Sequence, residues 1–384
     1  MRGSLNPIIF AKQFKFQIDP AQNRIYNIKL KMINRKQMVV AALLTVAISG
    51  LLTNCTISPN KANGKESMNA SDSSIVVKQV VVTPTTTNLL IDTVKYNQKM
   101  VDLANGDTTG RWPVKNQPYP LTGAILPFKR VVAFYGNLFS KRMGILGKFP
   151  PHEMMALLDV EVKKWEKVDP NTPVQPALHY IAVVAQGDSM KDGKYRYRMP
   201  FKQIDSVLTI AKMRENMIIF LDIQVALSRI SDEVPKLEKY LKMPNVHLGI
   251  DPEFSMKSGK KPGTTVGTFD AADINYCSDY LAELVRENHL PPKIFIIHRF
   301  TKNMVTNSQM IKLHPEVQLV MNMDGWGEPE LKKGTYRFFI DREPVQFTGF
   351  KLFYINDLKK SPGRMLTPDE LMKLKPQTSY IQYQ

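Results

Sequence analysis

Cysteine is nearly absent: 384 residues hold two, Cys55 and Cys277. That excludes the disulfide framework of a small secreted domain and leaves no Cys/His cluster for a structural metal. A Gly-x-Ser-x-Gly elbow and a phosphate loop ending in Gly-Lys-Ser/Thr are also missing. A barrel metallohydrolase calls for His-x-His on its first strand, and the chain reads Tyr135-Gly136-Asn137 there. The apolar run Met38–Leu52 falls short of the ~20 residues of a comfortable membrane span. Acidic residues are outnumbered, 35 against 52 Lys and Arg, for a formal net charge of +17. Eight of the basic residues and one acid lie within residues 1–55. The remaining surplus is spread without a basic block, so no nucleic-acid partner is expected. Diffuse charge of this kind favours solubility and contact with anionic surfaces.

The N-terminus does contain the pattern of an export signal. Asn34-Arg35-Lys36-Gln37 precedes the short apolar run, and small residues come after it. The exit, Leu52-Thr53-Asn54-Cys55, resembles a bacterial lipobox. That resemblance implies an acylated Cys55 and a protein held in the bacterial cell envelope by a lipid anchor. Asn54 departs from it, since Gly, Ala or Ser is usual before the Cys. An uncleaved N-terminal anchor is the alternative. A start at Met32 or Met38 would account for the long stretch before the signal. Residues 56–74 are polar and without aromatics, a flexible tether. Residues 75–127 include Val80-Val81-Val82, but Pro84, Gly106, Gly110, Pro113, Pro118 and Pro120 interrupt regular structure, giving an irregular lead-in packed on the folded domain. The division is thus 1–55 signal segment, 56–127 tether and lead-in, and 128–384 folded domain.

From Arg130 onward eight apolar runs alternate with helical segments. The runs are Val131–Tyr135, Ala177–Ala185, Met217–Asp222, Val246–Phe254, Lys293–His298, Val317–Asp324, Gly349–Tyr354 and Tyr380–Gln384. Helices are expected over Glu153–Val168, Phe201–Arg214, Asp232–Leu241, Ala271–Asn288, Ser308–Leu313, Pro329–Arg342 and Pro368–Lys373. Near-continuous apolar runs suit parallel strands buried on both faces, and Thr367-Pro368-Asp369-Glu370 is a helix start signal. The reading is α/β, a (β/α)8 TIM barrel, with an open doubly wound sheet as the other topology. Cys277, within a helical stretch, reads as a small buried hydrophobe.

Barrels place chemistry at the C-terminal ends of their strands. Here those ends carry Tyr135, Asp222 and Gln224, Asp251 and Glu253, His298 and Arg299, Asn322 and Asp324, Tyr354 and Asn356, and Gln382. Asp251 and Glu253 are two apart in a run read as extended, so they share a face. They start ~7 Å apart, within the range of glycosidase carboxylate pairs. Mutual proximity should keep one of them protonated. Structural ion pairs to Arg299 or Lys351 are the alternative use for them. Amides and acids bind hydroxyls, and Trp326, Tyr135 and Tyr354 can stack on sugar faces, so the ring of strand ends suits a glycan. Asp222, Asp251, Glu253 and Asp324 could instead hold Mg2+ or Ca2+ through oxygen, although no metal or other cofactor is required by the leading reading.

Gly249-Ile250-Asp251-Pro252-Glu253-Phe254 resembles the fourth-strand signature of barrel glycoside hydrolases of the chitinase and endo-N-acetylglucosaminidase clan. Met321-Asn322-Met323-Asp324 is similar to that clan's sixth-strand Met-x-Tyr-Asp. The resemblance implies Glu253 as proton donor, Asp251 as the neighbour orienting an acetamido group, and Asp324 as a supporting contact. Three features depart from it: the clan's longer series of spaced acids is absent, Met323 replaces Tyr, and the eighth strand lacks a Trp. The chain also looks similar to bacterial lipoproteins with an Asp-Pro-Glu strand and a Lys-x-x-x-x-His strand, here Lys293 to His298. The resulting expectation is a membrane-anchored envelope lipoprotein acting on a glycan by carboxylate acid/base chemistry. A non-catalytic glycan-binding or structural lipoprotein and a metal-dependent phosphodiesterase-like hydrolase are the alternatives.

Overall fold

The computed structural model describes residues 91–384. The signal segment, Cys55, the tether and Val80–Val82 lie outside the described residues. The lead-in contains a regular element that its many breakers concealed: helix α1, Thr93–Ala104. Asp92 caps it by accepting from the Lys95 backbone N–H, and Asn105, left-handed at φ 53°, ends it.

Strand β1 (Arg130–Gly136) leads to α2 (Pro151–Val168), whose Pro151 suits a first helical turn. β2 (Val174–Ala185) is extended by a short antiparallel partner, β3 (Arg196–Arg198), before α3 (Phe201–Ala211). After β4 (Ile218–Ile223) the expected single helix is two short ones, α4 (Ile230–Glu233) and α5 (Glu238–Leu241). A 3-10 turn containing Pro235 divides them. β5 (Val246–Ile250) is followed by the two-residue β6 (Phe269–Asp270) and α6 (Ala271–Glu287). β7 (Lys293–Arg299) and the short β8 (Val305–Thr306) precede β9 (Val317–Met323). The helix expected over Ser308–Leu313 is only a 3-10 turn, Ser308–Met310, entered through left-handed Asn307. With Pro315 close behind, the segment has no length for an amphipathic face. α7 (Pro329–Tyr336) continues as a π-turn over Arg337–Asp341. β10 (Phe347–Leu352), α8 (Pro368–Leu371) and β11 (Tyr380–Tyr383) complete the series.

The order β1-β11-β10-β9-β7-β5-β4-β2, with β1 paired in parallel to β2, closes an eight-stranded parallel barrel. Helices between its strands make it a (β/α)8 barrel, and the closure excludes the open doubly wound sheet. Alternate residues face in and out. Outward, Phe134, Leu178 and Tyr180 pack with Leu158, Val162 and Trp165 of α2. Inward, Val131, Ala177, Ile218, Phe220 and Ile294 pack against Tyr96 and Met100 of α1. Those strand residues lie toward the N-terminal ends, so α1 closes that end of the barrel and leaves the other end for the site. Cys277 is fully buried and burial pushes its thiol up, which keeps it unreactive.

Candidate functional site

Inward positions from the middle of the strands onward turn from apolar to polar. β1 supplies Tyr135, β2 His179, β4 Asp222, β7 His298, β9 Asn322, β10 Lys351 and β11 Gln382; Asp324 comes directly after β9. All eight are buried. They meet across the barrel: the rings of Tyr135 and His298 lie 5.8 Å apart and those of His179 and His298 5.6 Å apart. Such approach needs small residues on the strands between. A Cβ at Gly249 would stand 2.6 Å from both Asp222 Oδ1 and His179 Nε2, and one at Gly349 2.6 Å from Asn322 Oδ1.

Asp222 is the hub. Its Oδ2 accepts from the Tyr135 hydroxyl at 3.0 Å, and its Oδ1 lies 3.4 Å from His179 Nε2 and 3.6 Å from His298 Nε2. Burial works against its charge, but His298 and His179 outweigh it and hold the carboxyl well below the usual range. His298 Nδ1 faces Asp324 Oδ2 at 3.0 Å. Burial opposes charge on this imidazole too, yet Asp324 and Asp222 prevail and push its pKa up to about 10. His179 goes the other way, down to about 4, because burial exceeds the pull of Asp222. Its Nδ1 is 2.6 Å from the Tyr380 hydroxyl and 3.0 Å from Gln382 Nε2. Lys351 pairs with Asp324 Oδ1 at 2.9 Å and stands 3.9 Å from the centre of the Tyr135 ring.

The fourth strand ends sooner than its sequence suggests. β5 stops at Ile250, and Pro252–Phe254 form a 3-10 turn capped by Asp251, whose Oδ1 accepts from the Glu253 backbone N–H at 3.2 Å. The shared face expected of an extended Asp251-Pro252-Glu253 is therefore corrected: Pro252 rotates the chain, and proximity comes from a turn. Gln224 binds Asp251 Oδ2 through Nε2 at 3.2 Å while its Oε1 accepts from the Ala185 N–H. No ion pair reaches Asp251 or Glu253 among the described residues. Arg299 goes to Glu343 at 2.6 Å and Lys351 to Asp324. Burial, with Asp324 and Asp222 adding to it, pushes Asp251 up to about 7. Burial, then Asp251 and Asp324, pushes Glu253 up to about 8.

Tyr354 is a correction. β10 ends at Leu352, and the Tyr354 hydroxyl donates to Glu161 of α2 at 3.1 Å while its ring stacks on Tyr383. It belongs to the layer between barrel and helices, because the extra residues after Leu352 leave the period-two alternation. Trp326 is on the loop after β9, 46% exposed, with Lys359 and Lys360 each 5.8 Å from its ring centre.

Two residues of the cluster escape a search of strand ends. His179 is in the middle of β2, where its signal was a lone His inside an apolar run, on the same face as Ala177. Lys351 read only as a counter-ion. Of the four carboxylates read as an oxygen cage, only Asp222 falls in a compact set of donors. That set is His179, Asp222 and His298, each offering one atom, all within 4.8 Å of one another.

No protein-family model and no curated protein matches the chain. Among solved structures it is similar to a cellulase, Cel5C_n, with a TM-score of 0.37 and 12% identity over 66% of this chain and 75% of that one. The chemistry rests on the side chains of this chain.

Proposed function

We propose that the chain is an envelope lipoprotein whose barrel hydrolyses a glycan by acid/base catalysis, with Glu253 as proton donor and Asp251 as its partner. The observation that carries the reading is the pair itself. Two carboxyls share one turn at the open end of the barrel, with no cation among the described residues paired to either. Burial and the negative charge of Asp251 and Asp324 outweigh the pull of Lys351 and His298, and Glu253 keeps its proton to about pH 8. A glycosidic oxygen leaves only when protonated, which is the task of such a group. Asp251, also raised, to about 7, can when ionised accept a proton from water or stabilise positive charge on the sugar. Gln224, Asn322 and Lys351 provide donors for hydroxyls, and exposed Trp326 provides a flat apolar face at the rim.

The test is hydrolysis of N-acetylhexosamine and neutral glycans by the whole chain beside Glu253→Gln. Loss of a general acid lowers kcat by roughly 10²–10⁴-fold, and an unchanged thermal melt shows that folding survives. Full activity in the variant would falsify the role of Glu253. Glycan binding without turnover in either protein would replace catalysis by a binding function.

A further inference from the structure

We propose that His179, Asp222 and His298 form a binding site for a divalent late transition-metal ion of the zinc type, at the floor of the polar cluster. Three donor atoms converge there: His179 Nε2, Asp222 Oδ1 and His298 Nε2. All three residues are fully buried, and none of these atoms completes a hydrogen bond. Buried polar atoms are ordinarily satisfied, and three left open toward one point indicate an absent partner. Two of their three spacings fit one, and the third, between the imidazole nitrogens, is within 4.8 Å. Metal–ligand bonds of ~2.0–2.1 Å in a tetrahedron place donors about 3.3–3.4 Å apart. The two separations from Asp222 Oδ1 are 3.4 and 3.6 Å.

The opposite atom of each ligand is held in place, as metal ligands require. Asp222 Oδ2 accepts from the Tyr135 hydroxyl at 3.0 Å. His298 Nδ1 faces the Asp324 carboxylate at 3.0 Å, so that its proton sits on Nδ1 and Nε2 is left to coordinate. His179 Nδ1 faces the Tyr380 hydroxyl at 2.6 Å and the Gln382 amide at 3.0 Å. The Gln382 Oε1 has no partner among the described residues. Turned about its last torsion, that amide accepts from Nδ1–H and leaves His179 Nε2 free as well.

The space is kept open by the backbone, since a Cβ at Gly249 would stand 2.6 Å from two of the three donor atoms. Two imidazoles and one carboxylate select zinc-like ions over Mg2+ or Ca2+, which prefer all-oxygen cages. Three protein ligands also leave a fourth position for water or substrate. The inference concerns binding alone and does not depend on the glycan reading, because the measurement uses no substrate.

The untagged whole chain, stripped with chelator, is titrated calorimetrically with Zn2+, and with Co2+ while its visible spectrum is followed. One equivalent of each should bind, Co2+ giving the bands of a four-coordinate ion. His179→Ala with His298→Ala should abolish that spectrum. Asp324→Asn, which removes a supporting carboxylate and no ligand, should weaken Zn2+ binding about 10–100-fold. Gly249→Ala, which keeps every ligand, should block binding, with circular dichroism reporting its fold. Absence of uptake by the wild-type chain overturns the proposal and leaves His298 as an ion-pair partner of Asp222 and Asp324. Uptake that persists unchanged in the His179/His298 double variant overturns it equally.

Discussion

Glu253 holds its proton because burial and the neighbouring carboxylates outweigh the opposing pull of Lys351 and His298. Burial disfavours the anion, Asp251 and Asp324 add negative charge, and Lys351 is engaged elsewhere. Its affinity for the proton thus rises from 4.5 to about 8 on folding. A carboxyl raised in this way contributes stability that is complete below its unfolded value and disappears as pH climbs through about 8. Activity shares that upper limit, since the donor must be protonated. Asp251, raised to about 7, sets the lower one if its anion is needed. The expected kcat/KM profile is a bell whose limbs lie above the ordinary carboxylate range. A profile flat from pH 5 to 9 (roughly the span over which the two groups change charge) would remove both from the reaction. The acidic pair was legible in the sequence, because an Asp-Pro-Glu after an apolar run stands out. The neighbouring histidine was not: His179 has no polar sequence neighbour, and only the alternation of β2 and the register of Tyr135 with His179 bring it inside.

Elements differ in how much of their placement is local. α6 is fixed by short-range chemistry: Asp270 and Asp273 form a reciprocal capping box at its start, and the apolar positions Ile274, Cys277, Leu281 and Val285 lie along one face. Asp270 also accepts from Thr306 Oγ1 and Asn307 Nδ2, both at 2.7 Å, tying the loop after β7 to the helix. Asp270→Ala is therefore expected to cost about 1–2 kcal/mol, at the upper end for a lost cap. Urea denaturation should show a lower midpoint at an unchanged slope. A shift indistinguishable from zero would mean that water replaces every one of those bonds. Elsewhere local signals misled. The strand-like Val246–Phe254 breaks before Pro252, and Ile311 and Leu313 pack against the core without making a helix. α1 was hidden because Gly106, Gly110 and Pro113 come close behind it, while the helix itself needs only Asp92, Asn105 and the i, i+4 pair Tyr96 and Met100.

At the scale of the whole molecule, no helix among the described residues is long and apolar enough to cross a membrane. Under the proposed anchoring at Cys55, Cys55→Ala should move the protein from the membrane fraction to the soluble one in a lipidating bacterial host. A variant that stays with the membrane would point to an uncleaved apolar anchor. By itself the sequence determined an α/β fold of eight parallel strands, because eight buried runs separated by helix-length segments leave few ways to hide parallel strands. It marked too the polar residues that end those runs. Closure of β1 on β2, the seat of α1 beneath the strands, the turning away of Tyr354 and the meeting of His179, Asp222 and His298 were decided only in three dimensions. Each depends on inter-strand register and on close approach at Gly249, which bring together side chains far apart in the chain.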